Sequence, residues 1–428
     1  MNASPPETDS SRWSVVILIV AMGLRVGFVI FMESKLKSSG QEFLISGDAE
    51  GYWELGRRIA YGEDYAVHDP PRYVHRMPGF PALLAMSITL FGESHFAARL
   101  FLSLLGLFAC WLVYKLGVQL DSRRTGLIAA ALAAVSPTFV GFSGVVLSET
   151  AFSVALLLAV LASARLISTL QTIENQSQLW RPIGDACLVG TMLALGVYMK
   201  PSWILAGPIL AALIGLGIRP VKRSFIPAVC IVAAMYFCLF PWGLRNAQVS
   251  GHFTFTTFWM GPSLYDGLQP GATGGSDMAF FDRDQLPQSL SEYEVDQEYR
   301  QRAKQLALED PARVIRLAVA KFLRFWNLWP NADQFQNRWI CIGMTAFYMP
   351  VFGLVLVGVM AWRKRIWSLV ICAGPIIYFT GIHLIFVSSL RYRLPAEYPL
   401  LVLAAAGLQL VFAKLRKFQS PHLSSNRN

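Results

Sequence analysis

Two carboxylates and five cations occupy positions that insertion into a membrane does not require. They are Asp48 and Glu149, with Arg76, Lys200, Arg245, Arg391 and Arg393. Each lies at the edge of an apolar stretch. A positioned carboxylate can take a proton from an attacking hydroxyl. Guanidinium and ammonium groups can seat a phosphate and stabilise the charge that grows as it leaves. The set therefore suits group transfer from a phosphate-bearing donor.

Asp48 opens Gly47-Asp48-Ala49-Glu50-Gly51-Tyr52. Asp is a favoured helix N-cap and both acids suit the positive end of a helix, so a cap and a catalytic base are both open, and they are compatible. In Arg76-Met77-Pro78-Gly79-Phe80-Pro81 an arginine precedes an apolar segment whose prolines fix its entry angle. His68 and His75 lie nearby without a spaced acidic partner, which leaves a divalent metal undecided. Ser148-Glu149 is either a cap with a dipole complement or a second functional acid; Lys200-Pro201-Ser202 is either a lysine on helix carbonyls or a phosphate ligand. In Arg391-Tyr392-Arg393-Leu394-Pro395, the residue before proline is pushed to an extended conformation. If extension reaches back through Arg393, both arginines point to one side, beside the free amides of the next helix. Interfacial snorkelling is the alternative. Arg245-Asn246 is placed to join that seat, and Arg25 lies inside an apolar stretch, facing either a polar cavity or the interface.

These residues need a scaffold, and the composition says which. Of 428 residues 54% are hydrophobic and 15% charged, against about 25% charged in soluble domains. This predicts an all-α polytopic membrane protein. Apolar segments long enough to cross, about 20 residues each, are Trp13–Met32, Phe96–Gly117, Thr125–Phe142, Thr150–Ser168, Ile183–Met199, Trp203–Ile218, Phe225–Leu244, Ile340–Trp362, Ile366–Val387 and Ala396–Phe412, about ten in all. Pro78–Gly92 is also apolar, but it reaches only ~22 Å as a helix and is expected to lie at the surface. With that parity, Arg123–Arg124, Arg219/Lys222/Arg223, Arg363–Arg365 and Lys414/Arg416/Lys417 all fall on the cytoplasmic side, with both termini. The net charge of +10 is spread over loop ends, which argues against nucleic acid. The six cysteines show no metal or CxxC spacing and read as small, buried apolar residues.

The whole chain reads as one membrane-embedded domain with two polar excursions on the non-cytoplasmic face, 33–95 and 246–338. Asp48–Ala60 has amphipathic spacing, with Tyr52, Leu55 and Ile59 on one face. Pro311–Trp326 sets Arg313, Arg316, Lys321 and Arg324 in one arc opposite Val314, Ile315, Ala318 and Phe322, the pattern of a helix in the headgroup plane. The acidic stretch Asp277–Glu298 is either a solvated loop or an acceptor contact.

The order of these motifs resembles the bacterial GT-C glycosyltransferases, in particular the protein O-mannosyltransferase and aminoarabinose-transferase superfamily (glycosyltransferase family 39-like). The matching pieces are Gly47-Asp48…Tyr52, Arg76 to Pro81, Leu90-Phe91-Gly92, Ser136-Pro137, Leu147-Ser148-Glu149, Lys200-Pro201, Pro241-Trp242…Arg245-Asn246, Pro270 to Gly275 and Arg391-Tyr392-Arg393. The resemblance implies a polyprenyl-phosphate sugar donor and an acceptor that is a protein, lipid or glycan, with transfer on the outer face of the plasma membrane. It also implies an acidic residue of the first excursion beside the reacting sugar, here Asp48, and an acid at Glu149. Relatives commonly carry Asp-Glu where this chain has Asp48-Ala49, with Glu50 one place later. The expected activity is inverting transfer, with Arg76, Lys200, Arg245, Arg391 and Arg393 on the phosphate. Two rivals are a ligase that moves a glycan from a polyprenyl diphosphate and a lipid or solute transporter. The second lacks the paired halves usual in transporters.

Overall fold

The computed structural model describes residues 7–45, 47–172 and 180–419. The described chain is helical: α1 (Glu7–Ser39), α2 (Asp48–Tyr61), α3 (Gly79–Phe91), α4 (His95–Leu120), α5 (Arg123–Val135), α6 (Pro137–Ser143), α7 (Glu149–Thr172), α8 (Trp180–Met199), α9 (Ala206–Gly217), α10 (Val221–Ser250), α11 (Met260–Asp266), α12 (Ala279–Asp284), α13 (Glu292–Glu309), α14 (Pro311–Phe325), α15 (Arg338–Ala361), α16 (Ile366–Ile385) and α17 (Leu390–Gln419). Among the described residues eight of these, α1, α4, α7, α8, α10, α15, α16 and α17, are long and apolar enough to cross a bilayer. The bent pair α5–α6 makes a ninth if counted as one span. The protein is a multi-pass membrane protein.

Two of the ten expected spans come out differently. Thr125–Phe142 is broken at Ser136, where α5 and α6 meet at 61°. Pro137 starts α6 and holds Ser136 extended. Trp203–Ile218 yields only the 12 residues of α9 after a 3₁₀ turn at Pro201–Trp203, a reach of about 18 Å. The break explains Arg25. Ending α5 leaves its last carbonyls without helical partners, and Arg25, fully buried in α1, donates to Ala133 O at 3.3 Å and Ala134 O at 3.3 Å. It also reaches Ala21 O and Cys110 Sγ. The negative end of α5 compensates the charge.

α17 is the axis of the bundle, packed against α4, α5, α7, α15 and α16, with Ala396 to Ala406 almost wholly buried. Its crossing with α15 is backbone to backbone. A Cβ on Gly358 would lie 1.9 Å from Leu403 O, and one on Gly407 2.1 Å from Leu354 O, the small-residue contact membrane helices use. α7 runs beside it, buried for most of its length. Arg365 pairs with Asp121 at 2.9 Å, and Asp121, Arg124 and Arg416 line one cleft, which places these basic loops at one end of the bundle. At the other end, α11–α14 close around their own apolar cluster of Tyr265, Phe280, Phe281, Val295, Tyr299 and Leu317. All six cysteines are free; Cys110 and Cys372 are buried as expected, whereas Cys230, Cys238 and Cys341 are half-buried and Cys187 is exposed.

Candidate active site

Asp48, Glu149, Arg76, Lys200 and Arg391 meet at the end of the bundle remote from the basic loops. Asp48 is the first residue of α2, and its side chain does not cap the helix; Gly47, at φ 75°, makes the turn and leaves the carboxylate free to face inward. Arg76 donates to Asp48 Oδ1 at 2.7 Å and Arg391 to Oδ2 at 2.6 Å. Arg391 Nε also lies 3.3 Å from Glu149 Oε1, and Lys200 Nζ lies 3.5 Å from that same oxygen. Five groups from five chain segments thus form one chain of charge. Three cations face two carboxylates, so one positive charge is in excess.

Each group is set by its helix. α3 comes so close to the end of α8 that a Cβ on Gly79 would stand 2.6 Å from Tyr198 O, which fixes Arg76 just upstream. Arg76 lies over the Tyr52 ring, one helical turn along from Asp48, at 4.5 Å. Lys200 leaves α8 extended (φ −147°, ψ 104°) and turns to Glu149 rather than to helix carbonyls. Lys200 Nζ and the Arg391 guanidinium each lie 4.9 Å from the Tyr392 ring, which stacks on His383. Glu149 is at the floor, its side chain 2% exposed, with Oε2 buried and without a hydrogen-bond partner among the described residues. Asp48, at 32%, is the accessible carboxylate.

The structure does not bring Arg393 and Arg245 into this cluster. The expected extended run does not form: α17 begins at Leu390 and is helical through Pro395. Residues two apart on a helix point about 200° away from each other. Arg391 therefore meets Asp48, while Arg393 turns to Glu397 in a fully buried ion pair and donates to Phe325 O (2.6 Å) and Asn327 O (3.0 Å). Helix packing overrides the bias of residues before proline. Arg245 spans to the carbonyls of Tyr65 (3.1 Å) and Tyr73, stacked on Tyr65 and Trp242. It pins the loop that carries Arg76.

In α14 the basic and apolar arcs separate as the spacing predicts. Its basic arc faces protein, not solvent: Arg313 donates to Leu268 O and Gln269 O, Lys321 to Ile385 O at 2.6 Å, and Arg324 to Ser388 O at 3.5 Å. Ile315, Val319, Phe322 and Leu323 are the exposed side. Charged residues thus hold the end of α16 and the approach to Arg391. Other contacts had no sequence signal: Glu397 sits one helical turn from Arg393, which is suggestive only once a helix is known there, and Tyr52 and Tyr392 are aromatic neighbours of the arginines in space.

The electrostatics follow from these contacts. Burial alone would raise the Asp48 pKa, but Arg76 and Arg391 outweigh it and hold the carboxyl well below the ordinary range. Burial lowers the Lys200 ammonium, with Glu149 opposing. Arg76 is the mirror image of Asp48: burial works against its charge, and Tyr52 and Asp48 more than restore it. Among the described residues no three His, Cys, Asp or Glu side chains gather in one place. Asp48 and Glu149 each already face cations, and His68 and His75 face each other at 5.0 Å without an acid. A hard divalent cation needs several oxygen ligands, and this arrangement does not fit one.

Below the cluster lies an apolar cleft of about 630 Å³ between α7, α8, α9, α15 and α16. Its upper rim is Trp203 and Tyr378, and Tyr378 donates to Ser202 O in the turn that carries Lys200. It follows α16 from Tyr378 to Ile366, about 18 Å along the helix.

The same fold is found in solved proteins. The oligosaccharyltransferase AglB from Archaeoglobus fulgidus, in complex with an inhibitory peptide and a dolichol-phosphate, superposes with a TM-score of 0.58 at 15% identity, over 97% of this chain and 52% of that one. This is a GT-C fold. The apo form of the same archaeal enzyme gives 0.59 at 15% identity, over 95% and 51%; the chain spans about half the length of these solved proteins. ArnT from Cupriavidus metallidurans bound to undecaprenyl phosphate gives 0.40 at 13% identity, over 94% and 78%. A family model described as dolichyl-phosphate-mannose-protein mannosyltransferase matches residues 71–242, the stretch that holds Arg76, Glu149 and Lys200. No curated protein sequence matches the chain.

Proposed function

We propose that the protein is an inverting glycosyltransferase that moves a sugar from a polyprenyl-phosphate donor to an acceptor nucleophile on the non-cytoplasmic face of the plasma membrane, with both termini inside. One observation carries this reading: a carboxylate held by two arginines at the mouth of a polar cluster, directly above an apolar cleft. The cleft suits an isoprenoid tail, and the excess positive charge suits the phosphate at its head.

In the reaction the acceptor oxygen attacks the anomeric carbon, the bond from that carbon to the phosphate oxygen breaks, and the phosphate leaves with the electron pair. Asp48 takes the acceptor proton. In the resting state it is a weak base, because Arg76 and Arg391 hold it. The donor phosphate competes for those two arginines, and as they turn to it Asp48 loses what depresses it, so burial then raises its basicity. The base is thus armed by the donor. Arg391, Arg76 and Lys200 stabilise the departing phosphate from preset positions. Glu149 is a positioning residue that holds Lys200 and Arg391, and Arg245 and Arg393 hold the loop and helix behind them.

The test presents purified protein with monophosphate-linked and diphosphate-linked polyprenyl sugars and follows release of the polyprenyl phosphate. Turnover of the monophosphate donor, lost in Asp48→Asn with the fold intact, is the expected result. Use of the diphosphate donor alone would favour the ligase, and use of neither would favour transport.

A further inference from the structure

A second pocket lies beside the cluster, on the far side of the segment Tyr73–Arg76. It has a volume of about 160 Å³ and is bounded by the loop after α2, the chain before α11, and α12–α13. Its walls are joined by backbone: Phe258 N donates to Val74 O at 3.0 Å, and Glu292 accepts from Tyr73 N at 2.8 Å and Val74 N at 3.1 Å. His75 and Arg76 are consecutive; His75 lines this pocket while Arg76 holds Asp48.

The lining has a definite chemistry. Phe258, Trp259 and Phe281 supply an aromatic floor. The Arg72 guanidinium lies over the Phe281 ring at 4.6 Å and the Trp259 ring at 5.7 Å, and the charges of Glu292 and Asp282 favour it there without a direct ion-pair contact among the described residues. His75 is 6% exposed, packs edge-on to Trp259 at 4.3 Å, and its Nδ1 is buried without a partner. Glu292 Oε1 has one long contact, 3.3 Å from Val74 N, and so retains capacity to accept. Unused donors, an unused acceptor and an aromatic floor converge, while one arginine and one glutamate leave the lining formally neutral. That combination matches a ring that carries several hydroxyls and no charge. The volume is below the roughly 300–1,000 Å³ of drug-sized pockets and admits one ring.

We infer that this pocket is a saccharide subsite that seats a neutral pyranose ring of the acceptor, one residue along the chain from the Asp48 contact. The inference rests on the glycosyl-transfer reading and gives the acceptor's class: a glycan or glycolipid rather than a bare peptide. Trp259 would stack the ring, with Phe281 behind the Arg72 guanidinium; Arg72 and His75 Nδ1 would meet its hydroxyl oxygens, and Glu292 would accept from a hydroxyl.

The experiment is saturation-transfer NMR on the detergent-solubilised full chain with methyl α-mannoside, methyl β-glucoside and methyl β-galactoside. At least one should receive saturation, and the effect should weaken about tenfold in Trp259→Ala, the value of one lost ring stack. Leu290→Trp, which fills the pocket from its wall and leaves the polar groups in place, should do the same. Both variants should remain folded, with a lowered unfolding midpoint for Trp259→Ala because its ring packs on His75 and Phe281, and both should bind undecaprenyl phosphate normally, because that probe depends on Arg391 and not on this pocket. Absence of saturation for all three glycosides in the wild type overturns the subsite, as does a signal that survives both variants. Displacement of the glycoside by equal acetate would mark an anion site and also overturns it. Loss of undecaprenyl phosphate binding in Leu290→Trp would assign the pocket to the donor instead. Failure of the wild type to bind undecaprenyl phosphate would count against the transferase reading separately.

Discussion

Arg391 and Arg393 stand two residues apart and should fail in opposite ways when changed to glutamine. Arg391→Gln removes the cation that joins Asp48 to Glu149. Asp48 keeps Arg76 at 2.7 Å and Glu149 keeps Lys200 at 3.5 Å, so neither carboxylate is stranded. The expected loss of fold stability is about 1 kcal/mol, the upper end for solvent-screened ion pairs, since these side chains are 22% and 32% exposed. Losing a charge-assisted contact to the donor phosphate should instead cost about 2–3 kcal/mol of affinity, on the order of 100-fold. Arg393→Gln strands Glu397, which is 2% exposed, and frees the carbonyls of Phe325 and Asn327. Breaking a buried pair from one side costs about 3–5 kcal/mol, so this variant should unfold earlier yet bind the phosphate as wild type while folded. Undecaprenyl phosphate titrated against each purified variant, beside detergent unfolding midpoints, gives both quantities. Equal affinity loss in the two variants, or normal binding in Arg391→Gln, would refute the assignment of one arginine to the ligand and the other to the scaffold.

Asp48→Asn should abolish sugar transfer in the donor assay while the protein remains folded. Because the Asp48 pKa is depressed in the fold, its ion pairs stabilise above the ordinary carboxylate range and fade only as pH falls through the lowered value. The stability gap between wild type and Asp48→Asn should therefore stay level from about pH 8 to pH 5 and close only in stronger acid, as read by unfolding midpoints across a pH series. Arg25→Met leaves Ala133 O and Ala134 O buried without donors and should cost about 2–3 kcal/mol; undecaprenyl phosphate affinity should be unchanged. Gly79→Ala places a methyl against the Tyr198 carbonyl and should cost about 1–3 kcal/mol as α3 shifts. Because α3 carries Arg76 toward Asp48, this variant should lower turnover as well as the midpoint.

Helix existence was legible because apolar length is written locally: each of the ten apolar stretches falls on helix, and Asp48–Ala60 matches α2 to within a residue. The break at Ser136-Pro137 was visible as a pre-proline residue, but whether a membrane helix bends there depends on a donor for the freed carbonyls. That donor is Arg25, more than a hundred residues away. The charged residues that gather at the site were all named by their place at span ends. Which of them face one another was not legible, because side-chain direction at the start of α17 depends on whether the chain before Pro395 is helical or extended. Packing against α15 and α16 decides that, and a one-dimensional pattern does not carry it. For α14 the wheel gave the two faces, but not that the basic one is spent on carbonyls of the protein.

The outward greasy side of α14 has a mechanical corollary. Phe325, its last residue, and Asn327 just beyond it clasp Arg393 by their carbonyls, and Lys321 and Arg324 grip the turn between α16 and α17. Whatever Ile315, Val319 and Leu323 float upon is thereby coupled through a short lever to the start of the axial helix. A tilt of α14 is therefore a displacement of the helix start that presents Arg391 to Asp48.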